Sequence, residues 1–307
     1  MIDAVLHLPP FDIRVRSPLP GVAEHLAYHY PGAGRLGGGE FVDFDIEVVP
    51  ASGLRRWWRP QARFLLDGIE PFFPLPVEQA APMFEWGLNW CVAQRALGYL
   101  VLHAAVVERD GMALVMPGFP GAGKSTLCAA LTHLEGWRLL SDELAILDPE
   151  RGVLLPHPRP IGVKNDSIDI VRAFAGSRVG PTYLDTRKGR VAHVACPAAS
   201  MSRAGEPALP AWVVFPHFVE SAALAIEGVT RVEAFTWISE QSFNKERMGE
   251  LGFAGLCRLL DRSSCHELTY GSTRDAVAGI RSICARGAAQ PLPHGGSPAA
   301  PGPADRA

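Results

Sequence analysis

Nine consecutive residues constrain this 307-residue chain more than any other feature. They read Gly118-Phe119-Pro120-Gly121-Ala122-Gly123-Lys124-Ser125-Thr126 and meet G-x-x-x-x-G-K-[ST] at every place. Glycines let successive backbone N–H groups turn inward around an anion with no Cβ in the way. Lys124 carries a charge able to reach β- and γ-phosphates, and the Ser125 hydroxyl is a ligand type for Mg²⁺. The flanks agree with this reading. A β-forming run at 112–116 precedes the loop, and Leu127, Ala130, Leu131 and Leu134 follow at i, i+3, i+4 and i+7. That spacing predicts a helix that opens at the lysine, stops at Gly136 and points its positive end at the phosphates. A glycine-rich turn without this context would carry no such implication.

Two further features surround the loop. Residues 99–107 form a dense apolar, β-forming run, and Asp110-Gly111 separates it from 112–116, which predicts a hairpin. His103 falls in the middle of that run; a lone histidine among apolar neighbours is as a rule a hydrogen-bonded core residue. Downstream, 137–143 read as a strand ending in Asp142 and Glu143. A phosphate loop needs an acid at a strand tip to hold Mg²⁺, and a phosphotransferase needs a base near the acceptor hydroxyl. Ser125, Asp142 and Glu143 are therefore the candidate metal ligands, and the two acids can divide the two tasks.

Residues 1–75 carry short extended signals, among them alternation of apolar and acidic residues at 41–49, and predict a β-rich N-terminal module. The glycine-rich stretch 32–39 lacks a Lys-Ser/Thr ending and reads as a loop. Trp57, Trp58 and the stretch from Arg55 to Arg59 could form a surface patch, but the two tryptophans read rather as core aromatics at a strand edge. Phe84, Leu88, Cys91 and Val92 predict a helix running to about Leu97. Strands are expected at 212–215 and 267–270, a helix at 243–260 and a closing helix at 273–284 capped by Thr273. Residues 287–307, almost entirely Ala, Pro and Gly, predict a flexible tail.

Composition removes other classes. The formal net charge of −3 gives no basic field for nucleic acid. The longest apolar runs fall well short of the roughly 20 residues of a spanning helix, and the N-terminus does not read as a signal peptide. The six cysteines include no CxxC pair and suit reduced, mostly buried thiols in a cytoplasmic protein. His193, His217 and His266 show no metal-ligand spacing and read as structural.

A histidine in an apolar strand, a hairpin, a G-x-x-G-x-G-K-S loop, a short helix and an acidic pair on the next strand together resemble the catalytic domain of HPr kinase/phosphorylase. The pattern is most similar to the HPr-kinase-related kinases, specifically over 101–145 and loosely over 98–285. The resemblance implies an α/β fold of the phosphoenolpyruvate carboxykinase-like type, distinct from the usual doubly wound NTPase sheet. Its P-loop kinase domain would cover 76–286. It places ATP phosphates on 118–126, Mg²⁺ near Ser125, the acidic pair Asp142-Glu143 opposite a seryl hydroxyl, and His103 in the same cleft, and it also implies a homo-oligomer. Where the HPr enzymes carry a Glu-Arg-Gly-type signature, this chain reads Pro158-Arg159-Pro160-Ile161-Gly162-Val163-Lys164-Asn165-Asp166-Ser167. Neither HPr as acceptor nor the reverse phosphorolysis is therefore carried over. Arg159 and Lys164 could supply charge to phosphates there, and Asn165 or Ser167 could cap a short helix at 168–174.

The expectation is an ATP- and Mg²⁺-dependent kinase acting on a protein or peptide serine, with Lys124, Asp142 and His103 as catalytic residues. A nucleotide-dependent ATPase switch and a non-catalytic nucleotide-binding scaffold are the alternatives.

Overall fold

Period-2 alternation shapes the first third of the chain. A computed structural model describes residues 1–32, 41–119 and 121–287. Most of the expected loop at 32–39, the loop residue Pro120 and the expected tail beyond Gly287 lie outside the described residues. Strands β1 (Ile2–Leu8), β2 (Phe11–Ser17), β3 (Phe44–Pro50), β4 (Gln61–Leu66) and β5 (Leu75–Pro76) form one sheet in that order. Phe11, Ile13 and Val15, then Phe44, Ile46 and Val48, then Ala62, Phe64 and Leu66 all turn to one buried face. Each such large apolar side chain removed from water is worth roughly 1.5–3 kcal/mol.

Helix α1 (Pro20–His29), which the sequence reading did not anticipate, lies between β2 and its parallel neighbour β3. It opens with proline at its start, where the missing N–H costs no helical hydrogen bond. Helix α2 (Ala80–Arg95) packs on the sheet through Phe84, Leu88, Cys91 and Val92, the predicted stripe. Gly87 sits where a Cβ would come within 2.1 Å of the Phe64 ring, so glycine permits this close approach of α2 to β4. Trp57 and Trp58 are 80% and 66% exposed, contrary to the expectation that they belong to the core. They follow a short 3-10 turn at Gly53–Arg56, which carries them off the sheet face.

The rest of the chain builds a second, mixed sheet. Its strands are β6 (Leu100–Arg109), β7 (Met112–Pro117), β8 (Arg138–Ser141), β9 (Leu144–Asp148), β10 (Val153–Leu155), β14 (Leu209–Phe218), β15 (Ala225–Gly228) and β16 (Ser264–Tyr270). The order is β10-β9-β6-β7-β14-β16-β15, with β8 also paired to β6. β7, β14 and β16 run parallel, while β6 is antiparallel to β7, β8 and β9. The predicted hairpin is β6–β7, and Asp110 and Gly111 both take positive φ (55° and 80°), as a two-residue type I′ turn requires.

A third sheet is formed by β11 (Ile161–Lys164), β13 (Gly189–Val194) and β12 (Tyr183–Thr186), in that order. Helices α3 (Lys124–His133), α4 (Asp166–Ala175) and α8 (Thr273–Gly287) share one core with the second sheet. Helices α6 (Arg231–Glu240) and α7 (Lys245–Asp261) cover its other face, and the short α5 (Ala198–Ser202) supports β8. The N-terminus of α8 is held by Ser272, whose Oγ accepts the Asp275 N–H at 3.1 Å, and Thr273 does not take that part.

Three cores meet at one place. Along β6, Leu100, Leu102, Ala104 and Val106 face α6 and α7, whereas Ala105 and Val107 face α3. Val101, on that second face, belongs to the core of the N-terminal sheet. His103 lies between Val101 and Ala105 and so falls at the seam between two cores. The described cysteines are all free thiols. Among the described residues no helix is long and apolar enough to cross a membrane.

Candidate active site

The glycine-rich loop leaves β7 and enters α3 as the motif demands. Gly118, Gly121 and Gly123 have φ of 152°, 93° and 87°, values that L side chains rarely adopt. Gly123 occupies the cap position of α3 and offers no side-chain acceptor, so no side chain caps the first turn. Those N–H groups are the natural partners of an anion. Gly123 is also fixed sterically. A Cβ there would stand 2.2 Å from the Tyr270 hydroxyl, which donates to the Ala122 carbonyl at 3.4 Å. Tyr270, at the end of β16, thus braces the loop from behind.

Gly121, Ala122, Gly123, Lys124, Ser125 and Thr126 line a cleft of about 830 Å³, together with His103, Asp142 and Glu143. Phe119 is largely exposed, and neither it nor Gly118 belongs to the cleft wall. Their carbonyl oxygens instead accept from the Lys124 ammonium, at 3.1 Å for Phe119. Burial pushes the Lys124 pKa down, and Asp142 and Glu143 counter that effect. Lys164 and Lys188 also line the cleft, so three ammonium groups share its wall with three carboxylates, those of Asp142, Glu143 and Asp166.

The acidic pair stands at the end of β8, as expected, and a second strand, β9, begins directly after it. Ser141 of β8 pairs with Val106 and Leu144 of β9 pairs with His103, and both pairings lie on the same side of β6. Asp142 and Glu143 drop out of the ladder between them. Strict alternation would send adjacent side chains to opposite faces; the bend lets both reach the cleft. Asp142 is buried, and its Oδ2 accepts the Gly162 N–H at 3.0 Å while Oδ1 has no hydrogen-bond partner among the described residues. Burial, reinforced by the Glu143 charge, raises its pKa to about 7 against the pull of Gly162, Ser125 and Lys124.

His103 is half-buried; its backbone N–H donates to the Gln241 carbonyl at 2.7 Å and its ring stands 5.9 Å from Phe243. Burial and the Lys124 charge hold its pKa below the ordinary value, which keeps the imidazole neutral near pH 7.

Behind the acids stands a polar network that the sequence reading missed. The Asn89 amide donates to Glu143 Oε2, and its own oxygen accepts from the Arg159 guanidinium. Arg159 also donates to the Glu85 carbonyl at 2.9 Å and to its carboxylate. Glu85 Oε1 is bonded to His25 Nε2 at 2.7 Å and accepts from the Tyr30 hydroxyl at 2.8 Å. Burial alone would raise the Glu85 carboxyl, but Arg159 and His25 outweigh it and hold the pKa well below the usual range. His29 and His193 pack about the same group, and burial pushes them down to about 3 and about 4. Arg159 is therefore consumed in holding Glu85 and Asn89 and does not reach the cleft wall, contrary to the expectation that it serves phosphates. Asn165 does precede α4, but its side chain accepts the Arg190 N–H at 3.1 Å and makes no helix cap.

One local signal could have found part of this network. Glu85 and Asn89 lie at i and i+4 within the otherwise apolar α2, so they share a face and need partners there. Compared with family models and with curated proteins, the chain matches none.

Proposed function

We propose that the chain is an ATP-dependent phosphotransferase that moves the γ-phosphoryl group of MgATP to a hydroxyl, most simply a serine of a protein or peptide. One observation carries the reading. The loop lysine, the loop serine and a buried carboxyl with a pKa near 7 face one another across a single cleft. The resemblance to HPr-kinase-related kinases supports the same reading.

The chain's own groups divide the work. Backbone N–H groups at the start of α3 bind phosphate oxygens, and Lys124 neutralises charge that grows on the transferring group. Asp142 accepts the proton of the acceptor hydroxyl. His103, neutral beside Lys124, lines the same cleft. The donor set suits Mg²⁺: Ser125, Asp142 and Glu143 offer hard oxygens, and Asp142 Oδ1, without a partner among the described residues, is one of them. Among the described residues no three His, Cys, Asp or Glu side chains could hold a metal ion by themselves, so nucleotide oxygens would complete its shell. When bound, Mg²⁺ supplies positive charge at the β- and γ-oxygens.

The test is γ-labelled ATP added to the purified chain with cell extract, followed by identification of the species that takes the label. Label on a serine-containing protein or peptide, lost with Asp142→Asn, supports the proposal. Rapid release of inorganic phosphate without any acceptor would assign the site to an ATPase switch, and tight MgATP binding without turnover to a scaffold.

A further inference from the structure

A second concavity adjoins the cleft, and the function proposed above does not use it. It measures about 1140 Å³ and lies between β4, the segment leading into β5, and α2. The two concavities share Trp90 and Lys188, so they adjoin one another at these residues. The α2 wall consists of Met83, Trp86, Gly87 and Trp90, a single stripe at i, i+3, i+4 and i+7. The opposite wall brings Phe72 and Phe73, and Phe73 is 89% exposed. An aromatic side chain this open beside a lined groove is the mark of an interaction surface.

Charge selects the occupant. Arg55, Arg63, Arg187 and Lys188 line the groove against one acid, Glu70, and Glu70 is taken up by Arg63 at 2.7 Å. Arg55 and Arg187 are exposed, and among the described residues no carboxylate pairs with either. Lys188 rests over the Trp86 ring at 5.1 Å, at the join between groove and cleft. This surplus of cations stands in a chain whose net charge is −3, so it is a local feature and not a general basic field.

We infer that this groove docks the acceptor, as an extended segment carrying acidic residues beside apolar or aromatic ones, and that its serine lies beyond Trp90 in the cleft. The inference rests on the kinase reading for the fate of the serine, but not for the docking itself. Apolar side chains enter between Trp86 and Phe72, and carboxylates of the segment meet Arg55 and Arg187 at the rim. The rim charges set which segment is chosen more than how tightly it is held. RNA, the other polyanion that aromatic and basic groups attract, is disfavoured by the narrow extent of the cationic surface.

The experiment presents the full-length chain and MgATP with a degenerate serine-centred peptide library, read as label transferred and as peptide retained. Both readouts should select Asp or Glu together with Phe, Leu or Trp on one side of the serine. Arg55→Glu combined with Arg187→Glu should lower acidic selection about tenfold and favour Lys at the same positions, with MgATP binding unchanged. Selective retention without transfer keeps the docking inference and overturns the kinase reading. Transfer with flat or basic selection does the reverse. Tighter retention of an oligo(U) RNA than of any peptide, or equal selection by the double variant, overturns the inference.

Discussion

Asp142 gives the most quantitative consequence of the site. Its pKa of about 7 in the folded chain compares with 3.8 for an ordinary aspartate. A group whose folded pKa is raised contributes stability that is fully present below the unfolded value and is lost as pH climbs through the folded one. The native state therefore weakens between pH 4 and 7, by on the order of 4 kcal/mol for a shift of about three units. Asparagine keeps the shape and the acceptor for the Gly162 N–H but cannot ionise. Asp142→Asn should be more stable than the parent at pH 8, and roughly 2.5 kcal/mol of that advantage should appear between pH 5 and pH 8. Urea unfolding of both proteins at the two pH values, in EDTA and without nucleotide, measures it. Saturating MgATP should shrink the difference, because the parent carboxylate then gains counter-charge. An advantage that stays flat or falls with pH would show that Asp142 is solvated and ionised, and the proposed base would lose its physical ground.

Other outcomes follow from the same geometry. Lys124→Ala should reduce transfer at least about a hundredfold and weaken MgATP binding, as isothermal titration and turnover assays will register. His103→Ala should lower transfer while leaving the melting curve near that of the parent; a large loss of Tm would return His103 to a purely packing role. Arg159→Met strands the Glu85 carboxylate in the interior and should cost about 3–5 kcal/mol in urea unfolding, with part regained on adding Glu85→Gln. Gly123→Ala should disable nucleotide binding, because its Cβ meets the Tyr270 hydroxyl and its φ is 87°; Tyr270→Phe in the same chain should restore little, since the strained backbone remains.

Local patterns were legible wherever local rules act alone. The hairpin at Asp110-Gly111, the stripe of α2 and the loop-to-helix start at Lys124 need only their own residues, and each lies where the sequence placed it. Helix α6 was equally readable and was overlooked: Thr230 and Glu233 form a reciprocal capping box. Other features had no local trace. That a second strand begins directly after Asp142 and Glu143 depends on β6 pairing with both β8 and β9. Arg159 looked like a cation free for phosphate because its partners, Glu85 and Asn89, stand 74 and 70 positions away. Trp57 and Trp58 read more readily as core aromatics than as a surface patch, but the 3-10 turn before them carries them outward. Ser272 caps α8 one residue earlier than expected, a displacement within the usual uncertainty of helix ends.

The buried bond between Glu85 and its partners on and just past α1 also bears on how such a chain can diverge. His25 comes from the first helix and Tyr30 from the residue just past its end, Glu85 and Asn89 from the second, and Arg159 from beyond the acids, so one carboxylate ties three distant stretches to the wall that holds Glu143. A foreign N-terminal cassette grafted ahead of α2 would need to bring its own histidine and tyrosine at those places, or leave an anion stranded behind the working surface. Drift in the first thirty residues is thereby coupled to the wall that holds Glu143, more than a hundred positions later.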